Sequence, residues 1–104
     1  MAKTPEGKVK DAVKKFLKER GAWFFMPVSN GMGQVGIPDI IICYKGVFVA
    51  IETKAPGKVT NVTPNQERVM QDIRLNDGFA FVVDSTDDLT MLFDSIDIFK
   101  KLSK

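Results

Sequence analysis

The sequence predicts an α/β domain with a mixed central sheet flanked by helices, in the order helix, strand, strand, strand, helix, strand, helix. Three observations carry this prediction. The runs Ile40–Tyr44 and Val47–Lys54, rich in β-branched and aromatic residues, are separated by Lys45-Gly46, the pattern of a hairpin with a two-residue turn. Thr4-Pro5-Glu6 and Thr63-Pro64-Asn65-Gln66 each open an amphipathic segment with a cap, a proline and an early polar residue, the pattern of helix starts. A last strand-like run, Phe79–Val83, precedes a third apolar-periodic segment that continues to Lys104.

The 104 residues form one small domain with room for a single core. Hydrophobic residues are 44% and charged residues 27% of the chain, an ordinary globular balance that argues against disorder. The single cysteine excludes an intramolecular disulfide and a cysteine zinc site, and the absence of histidine removes imidazole bases and histidine metal sites. Carboxylates, lysines and metal ions remain as tools. No apolar run approaches the ~20 residues of a membrane span, the start lacks a signal-peptide core, and no Walker or dinucleotide loop is present. A soluble, cytoplasmic protein without a membrane partner or nucleotide cofactor is expected. Residues 1–71 carry 11 basic and 6 acidic side chains, net +5, whereas residues 72–104 carry 4 basic and 7 acidic, net −3. Nucleic acid should therefore meet the first two thirds of the chain.

Taken in order, the first helix runs from Pro5 to about Arg20, with Val9, Val13, Phe16 and Leu17 as its buried stripe. Glu6 stands three residues before Val9 and seven before Val13, so it points with the core face; an acid here also complements the helix dipole. Lys8, Lys10, Asp11, Lys14, Lys15 and Lys18 lie largely off the stripe, and Lys8 and Lys14 are candidates for phosphate contact. Ala22–Val28 reads as the first strand, with Trp23 in the core. Ser29–Gly36, with three glycines, reads as a mobile loop that could let the backbone approach a ligand closely. Lys58, in the loop after the hairpin, is a further phosphate candidate.

The second helix runs to about Asn76, with Val69, Met70 and Ile73 inward. Gln66 completes a capping box with Thr63 yet also lies on the buried side. In the last helix Leu89, Leu92, Phe93, Ile96 and Phe99 form one stripe, but Met91, Ile98 and Leu102 fall outside it. That surplus suggests a subunit contact.

The hairpin carries the chemistry. With Lys45 and Gly46 in the turn, Tyr44 faces Val47, Ile42 faces Val49, Ile40 faces Ile51, and Asp39 faces Glu52. Asp39, Ile41 and Cys43 then share a face with Phe48, Ala50, Glu52 and Lys54. Both faces are apolar, which predicts strands covered on both sides and a buried Cys43. Two carboxylates about 5 Å apart repel by about 3 kcal/mol at an effective dielectric of ~20. Neutralising one acid or fraying the hairpin would relieve this; so would a divalent cation, and a neighbouring lysine would then orient water or hold phosphate.

Pro38-Asp39, the twelve-residue interval, and Glu52-Thr53-Lys54 resemble the PD-(D/E)XK nuclease signature. Gly33-Gln34-Val35-Gly36-Ile37 and Thr63-Pro64-Asn65-Gln66 are similar to the virus-type replication-repair nuclease branch, VRR-NUC, and the resemblance spans residues 6 to 84. It implies a restriction-endonuclease-like core and metal-dependent hydrolysis of DNA. Asp39 and Glu52 would bind Mg²⁺ or Mn²⁺ with the Thr53 carbonyl, and Glu6 would complete the shell. Lys54 would act on the attacking water, Gln66 would hold Lys54 or that water, and Gln34 would touch substrate. The phage-type members of that family further imply a homodimer that cuts branched DNA, most plausibly four-way (Holliday) junctions, in a bacterial or phage-infected cell. A DNA-binding module without catalysis, and a structural subunit in which Lys54 pairs with the acids, are the competing readings.

Overall fold

The computed structural model describes residues 3–28 and 35–102. Their elements are α1 (Pro5–Glu19), β1 (Trp23–Phe25), β2 (Ile40–Tyr44), β3 (Val47–Thr53), α2 (Pro64–Leu75), β4 (Phe79–Val83) and α3 (Asp87–Leu102). The sheet order is β1-β2-β3-β4, antiparallel across the first two pairings and parallel between β3 and β4. This is the predicted mixed α/β architecture in the predicted chain order.

Local chemistry explains the boundaries. Thr4 caps α1 by accepting from the Gly7 amide at 3.0 Å, and Pro5 sits where its missing N–H costs nothing. The hairpin register is the predicted one, Tyr44 against Val47, Ile42 against Val49 and Ile40 against Ile51. Lys45 and Gly46 both take positive φ, 50° and 84°, as a tight turn matched to the strand twist requires. β1 is shorter than the expected Ala22–Val28, because Pro27 cannot donate to a ladder.

The core lies on one face of the sheet. Ile40, Ile42, Tyr44, Val49 and Ile51 pack there with Val9, Val13 and Leu17 of α1 and Leu89, Phe93 and Ile96 of α3. The other face is covered only in part. α2 buries Ala50, Met70 and Ala80 over β3 and β4 but leaves the β1–β2 half open. Trp23 is 60% exposed and Cys43 is exposed too, against the expectation that both are core residues. The apolar strand composition carried no information on how far α2 extends sideways. The uncovered strip continues into a groove of about 810 Å³ lined by residues such as Ile37, Ile41, Phe48 and Ile73.

Phe99, expected on the inner stripe of α3, is exposed. The helix reaches the hairpin turn at Asp97, so its last turn has no sheet beneath it. Met91, Ile98 and Leu102 are exposed as expected. No helix among the described residues is long and apolar enough to cross a membrane.

Candidate active site

The site forms where β2 begins and β3 ends, beside Lys10 of α1 and the first turn of α2. The ladder starts at Ile40–Ile51, so Asp39 is not a paired strand residue but the bend just before β2. Its carboxylate reaches forward: Oδ2 accepts from the Thr53 amide at 3.0 Å and from the Thr53 hydroxyl at 2.7 Å. Thr53 is fully buried, so these two donors fix the Asp39 side chain against a rigid strand. The expected face-to-face pairing of Asp39 with Glu52 is corrected to this offset arrangement. The two acids nonetheless remain close enough to interact.

Glu52 lies in the interior strand β3 and is only 4% exposed. One oxygen, Oε2, accepts from the Gln66 side-chain amide at 3.0 Å and faces the Lys54 ammonium at 3.5 Å. The other, Oε1, is buried and has no hydrogen-bond partner among the described residues. Burial pushes the Glu52 carboxyl above its ordinary range, the neighbouring Asp39 charge pushes it further, and Lys54 and the Asp39 backbone N–H oppose both. An unpartnered buried carboxylate oxygen is costly, of order 1–3 kcal/mol or more for a charged group. A cation would use the same oxygen.

Gln66 performs both of the tasks its position suggested. Its Oε1 accepts from the Thr63 amide at 3.0 Å while the Thr63 hydroxyl accepts from the Gln66 amide at 3.1 Å, completing the capping box. Because the cap takes the carbonyl end, the NH₂ end is left pointing at Glu52. Gln66 therefore holds Glu52 rather than Lys54. The approach of α2 to the site depends on Gly36, whose φ is +87°. A Cβ there would lie 2.5 Å from the Asn65 carbonyl carbon, so only glycine lets the chain leading to Asp39 pass against the start of α2.

The remaining sequence-based candidates are more distant from the acids. Glu6 is half-buried in the first turn of α1. Among the described residues no group of three or more Asp, Glu, Cys or His side chains is gathered to hold a metal ion, so Glu6 is not brought into one cluster with Asp39 and Glu52. Lys8 and Lys58 are exposed and Lys14 is half-buried, and no hydrogen bond or ion pair joins any of the three to the acids. Gln34 and most of the glycine-rich loop lie outside the described residues. Sequence reasoning missed Lys10, whose Nζ is 3.9 Å from Asp39 Oδ2. The only available signal was its spacing of one helical turn from the inward-facing Glu6.

A divalent cation fits this donor set. Mg²⁺ commonly takes one or two carboxylates, keeping waters and substrate phosphate as its other ligands. Asp39 and Glu52 supply two, and Glu52 Oε1 is a buried oxygen left without a hydrogen bond.

No protein-family model and no curated protein sequence matches the chain. Among solved structures it is similar to a VRR_NUC domain, with a TM-score of 0.68 and 26% identity, covering 88% of this chain and 97% of the other. In element order, sheet topology and extent the chain has the VRR-NUC fold, that of a nuclease-type domain.

Proposed function

We propose that the protein is a Mg²⁺- or Mn²⁺-dependent DNA endonuclease. The observation that carries the reading is the buried Glu52 carboxylate, with one oxygen unpartnered, beside Asp39 and Lys54 on a VRR-NUC fold. When bound, the metal lowers the pKa of a water and neutralises charge on the reacting phosphate, which supplies the nucleophile a chain without histidine lacks. Asp39 and Glu52 would hold it, with the Thr53 carbonyl and, through water, Glu6 as further ligands. Thr53 keeps Asp39 in place through two hydrogen bonds. Gln66 and Lys54 share the second Glu52 oxygen, so Lys54 is held at the reacting centre and orients the attacking water. Gln34, Lys8, Lys14 and Lys58 contact the DNA.

The substrate we propose is branched DNA, most specifically the four-way junction, cut by a homodimer of the phage or prophage type. The dimer reading draws on Met91, Ile98 and Leu102, three exposed apolar residues on α3. Incubation with junction, flap and linear DNAs and Mg²⁺ or Mn²⁺, beside Asp39→Asn, tests both levels. Paired symmetric nicks on the junction, absent with Asp39→Asn, are expected. Equal cutting of linear duplex would remove the junction assignment, and no metal-dependent cutting of any DNA would remove the nuclease.

One observation favours the structural-subunit reading: each acid has a lysine nearby, Lys54 for Glu52 and Lys10 for Asp39. Under that reading Lys54→Ala mainly destabilises the fold. Under ours it abolishes cutting with a modest loss of stability.

A further inference from the structure

The geometry points to a phosphate-binding subsite formed by Lys10, taking a phosphodiester of the nucleic-acid backbone at the Asp39 side of the site. This rests on the nuclease reading and assigns a role to a residue that reading does not use.

Lys10 lies on α1 one turn after Glu6, and its side chain is only 30% exposed. Partial burial of its aliphatic stem holds the ammonium group beside Asp39, its nearest anionic partner. Asp39 is an incomplete one. The 3.9 Å separation is beyond hydrogen-bond range, and the oxygen it faces already accepts two bonds from Thr53. No other hydrogen bond or ion pair engages the Lys10 ammonium among the described residues. Its ammonium group therefore sits beside the site without a hydrogen bond there. Other lysines differ: Lys3 contacts Asp11 at 2.6 Å, and Lys45 contacts Asp97 at 2.7 Å.

Charge gives the ligand its sign. Asp39 and Glu52 contribute two negative charges, and Lys10 and Lys54 two positive ones, so this quartet is neutral by itself. A divalent cation on the acids leaves it with two positive charges in excess, complementary to a phosphodiester and to the additional negative charge that develops on it during attack. Lys54 approaches from the residue just after β3 and Lys10 from α1, so the two ammonium groups reach the acids from different parts of the fold. Lys54 is committed to Glu52, which leaves Lys10 as the group free to meet the backbone phosphate.

The test is the salt dependence of DNA binding, measured by fluorescence anisotropy with a labelled four-way junction in Ca²⁺ and again in EDTA. The proteins compared are wild type, Lys10→Met and Lys10→Arg. Methionine keeps the helix propensity and the aliphatic stem, so the fold is expected to survive, which a melting curve checks. Loss of one phosphate contact lowers the slope of log K against log salt by about 0.9. We expect that decrease for Lys10→Met and a wild-type slope for Lys10→Arg. A melting temperature that falls while the slope stays unchanged would overturn the proposal and leave Lys10 as an ion-pair partner of Asp39. Failure of the wild-type protein to bind DNA would instead overturn the nuclease reading, so the two failures are told apart. With Mg²⁺ present, Lys10→Met should raise KM at least as much as it lowers kcat, whereas loss of a metal ligand falls on kcat.

Discussion

The two ends of the β2–β3 hairpin each hold a cluster of acids and cations, and they are built to opposite standards. At the turn, Asp97 of α3 accepts from the Tyr44 hydroxyl at 2.6 Å, from Lys45 at 2.7 Å and, through its other oxygen, from Arg20 at 3.0 Å. Arg20 also reaches Asp94 at 2.9 Å and lies near the Phe16 and Phe93 rings. Lys45 first, and then Tyr44, hold the Asp97 carboxyl below its ordinary range. At the open end, Glu52 is more deeply buried, has an unpartnered oxygen and is pushed up rather than down. The same strands can therefore satisfy their acids, and at one end they do not. The unsatisfied carboxylate is the observation on which the proposed metal site rests.

Substitutions at the two ends should separate these roles. The largest effect expected is on cleavage. Asp39→Asn or Glu52→Gln should lower metal-dependent cutting by more than about 100-fold, the scale seen when one charge-stabilising group is lost from an active site. Asp97→Asn should lower the melting temperature while leaving cutting within about twofold of wild type. If Asp97→Asn silences cleavage equally, the contrast between the ends disappears.

Next is Gly36→Ala. The added Cβ meets Asn65 backbone at a positive φ, which should cost about 2 kcal/mol in denaturant unfolding and reduce cutting although no acid is altered. A fully active, equally stable variant would show that the start of α2 does not set the Glu52–Gln66 contact.

Acidity gives a smaller and signed effect. Glu52 titrates higher in the folded than in the unfolded chain, so around and above its ordinary value the folded state holds the proton longer. Its contribution to stability therefore falls as pH rises through the raised folded value. Without metal, Glu52→Gln should melt higher than wild type at neutral pH, and the gap should close on acidification. Asp97 has the opposite sign, its contribution being lost as pH falls through its lowered value. The smallest effect belongs to Trp23→Ser, expected within about 0.5 kcal/mol because the ring is mostly exposed.

What the sequence disclosed follows from which interactions are local. Alternation and the Lys45-Gly46 turn determine the hairpin register, and the Thr4 and Thr63 caps determine two helix starts, because each depends on residues a few positions apart. The family motifs led to Asp39, Glu52, Lys54 and Gln66, which the structure gathers at one end of the sheet. Properties set by distant packing were not legible. Trp23 and Cys43 are apolar enough for a core, yet α2 stops short of them. Lys10 looks like a solvent-facing helix residue until the tertiary fold sets α1 beside the bend at Asp39. The bend itself, with Asp39 bonded to Thr53, depends on the ladder stopping at the Ile40–Ile51 pair, which alternation does not reveal.

Calorimetric titration of the DNA-free protein with Mn²⁺, comparing wild type, Glu52→Gln and Asp97→Asn, addresses the unsatisfied carboxylate most directly. The account predicts saturable binding to wild type and to Asp97→Asn, with binding lost in Glu52→Gln. Equal binding by all three proteins, or none by any, would contradict it.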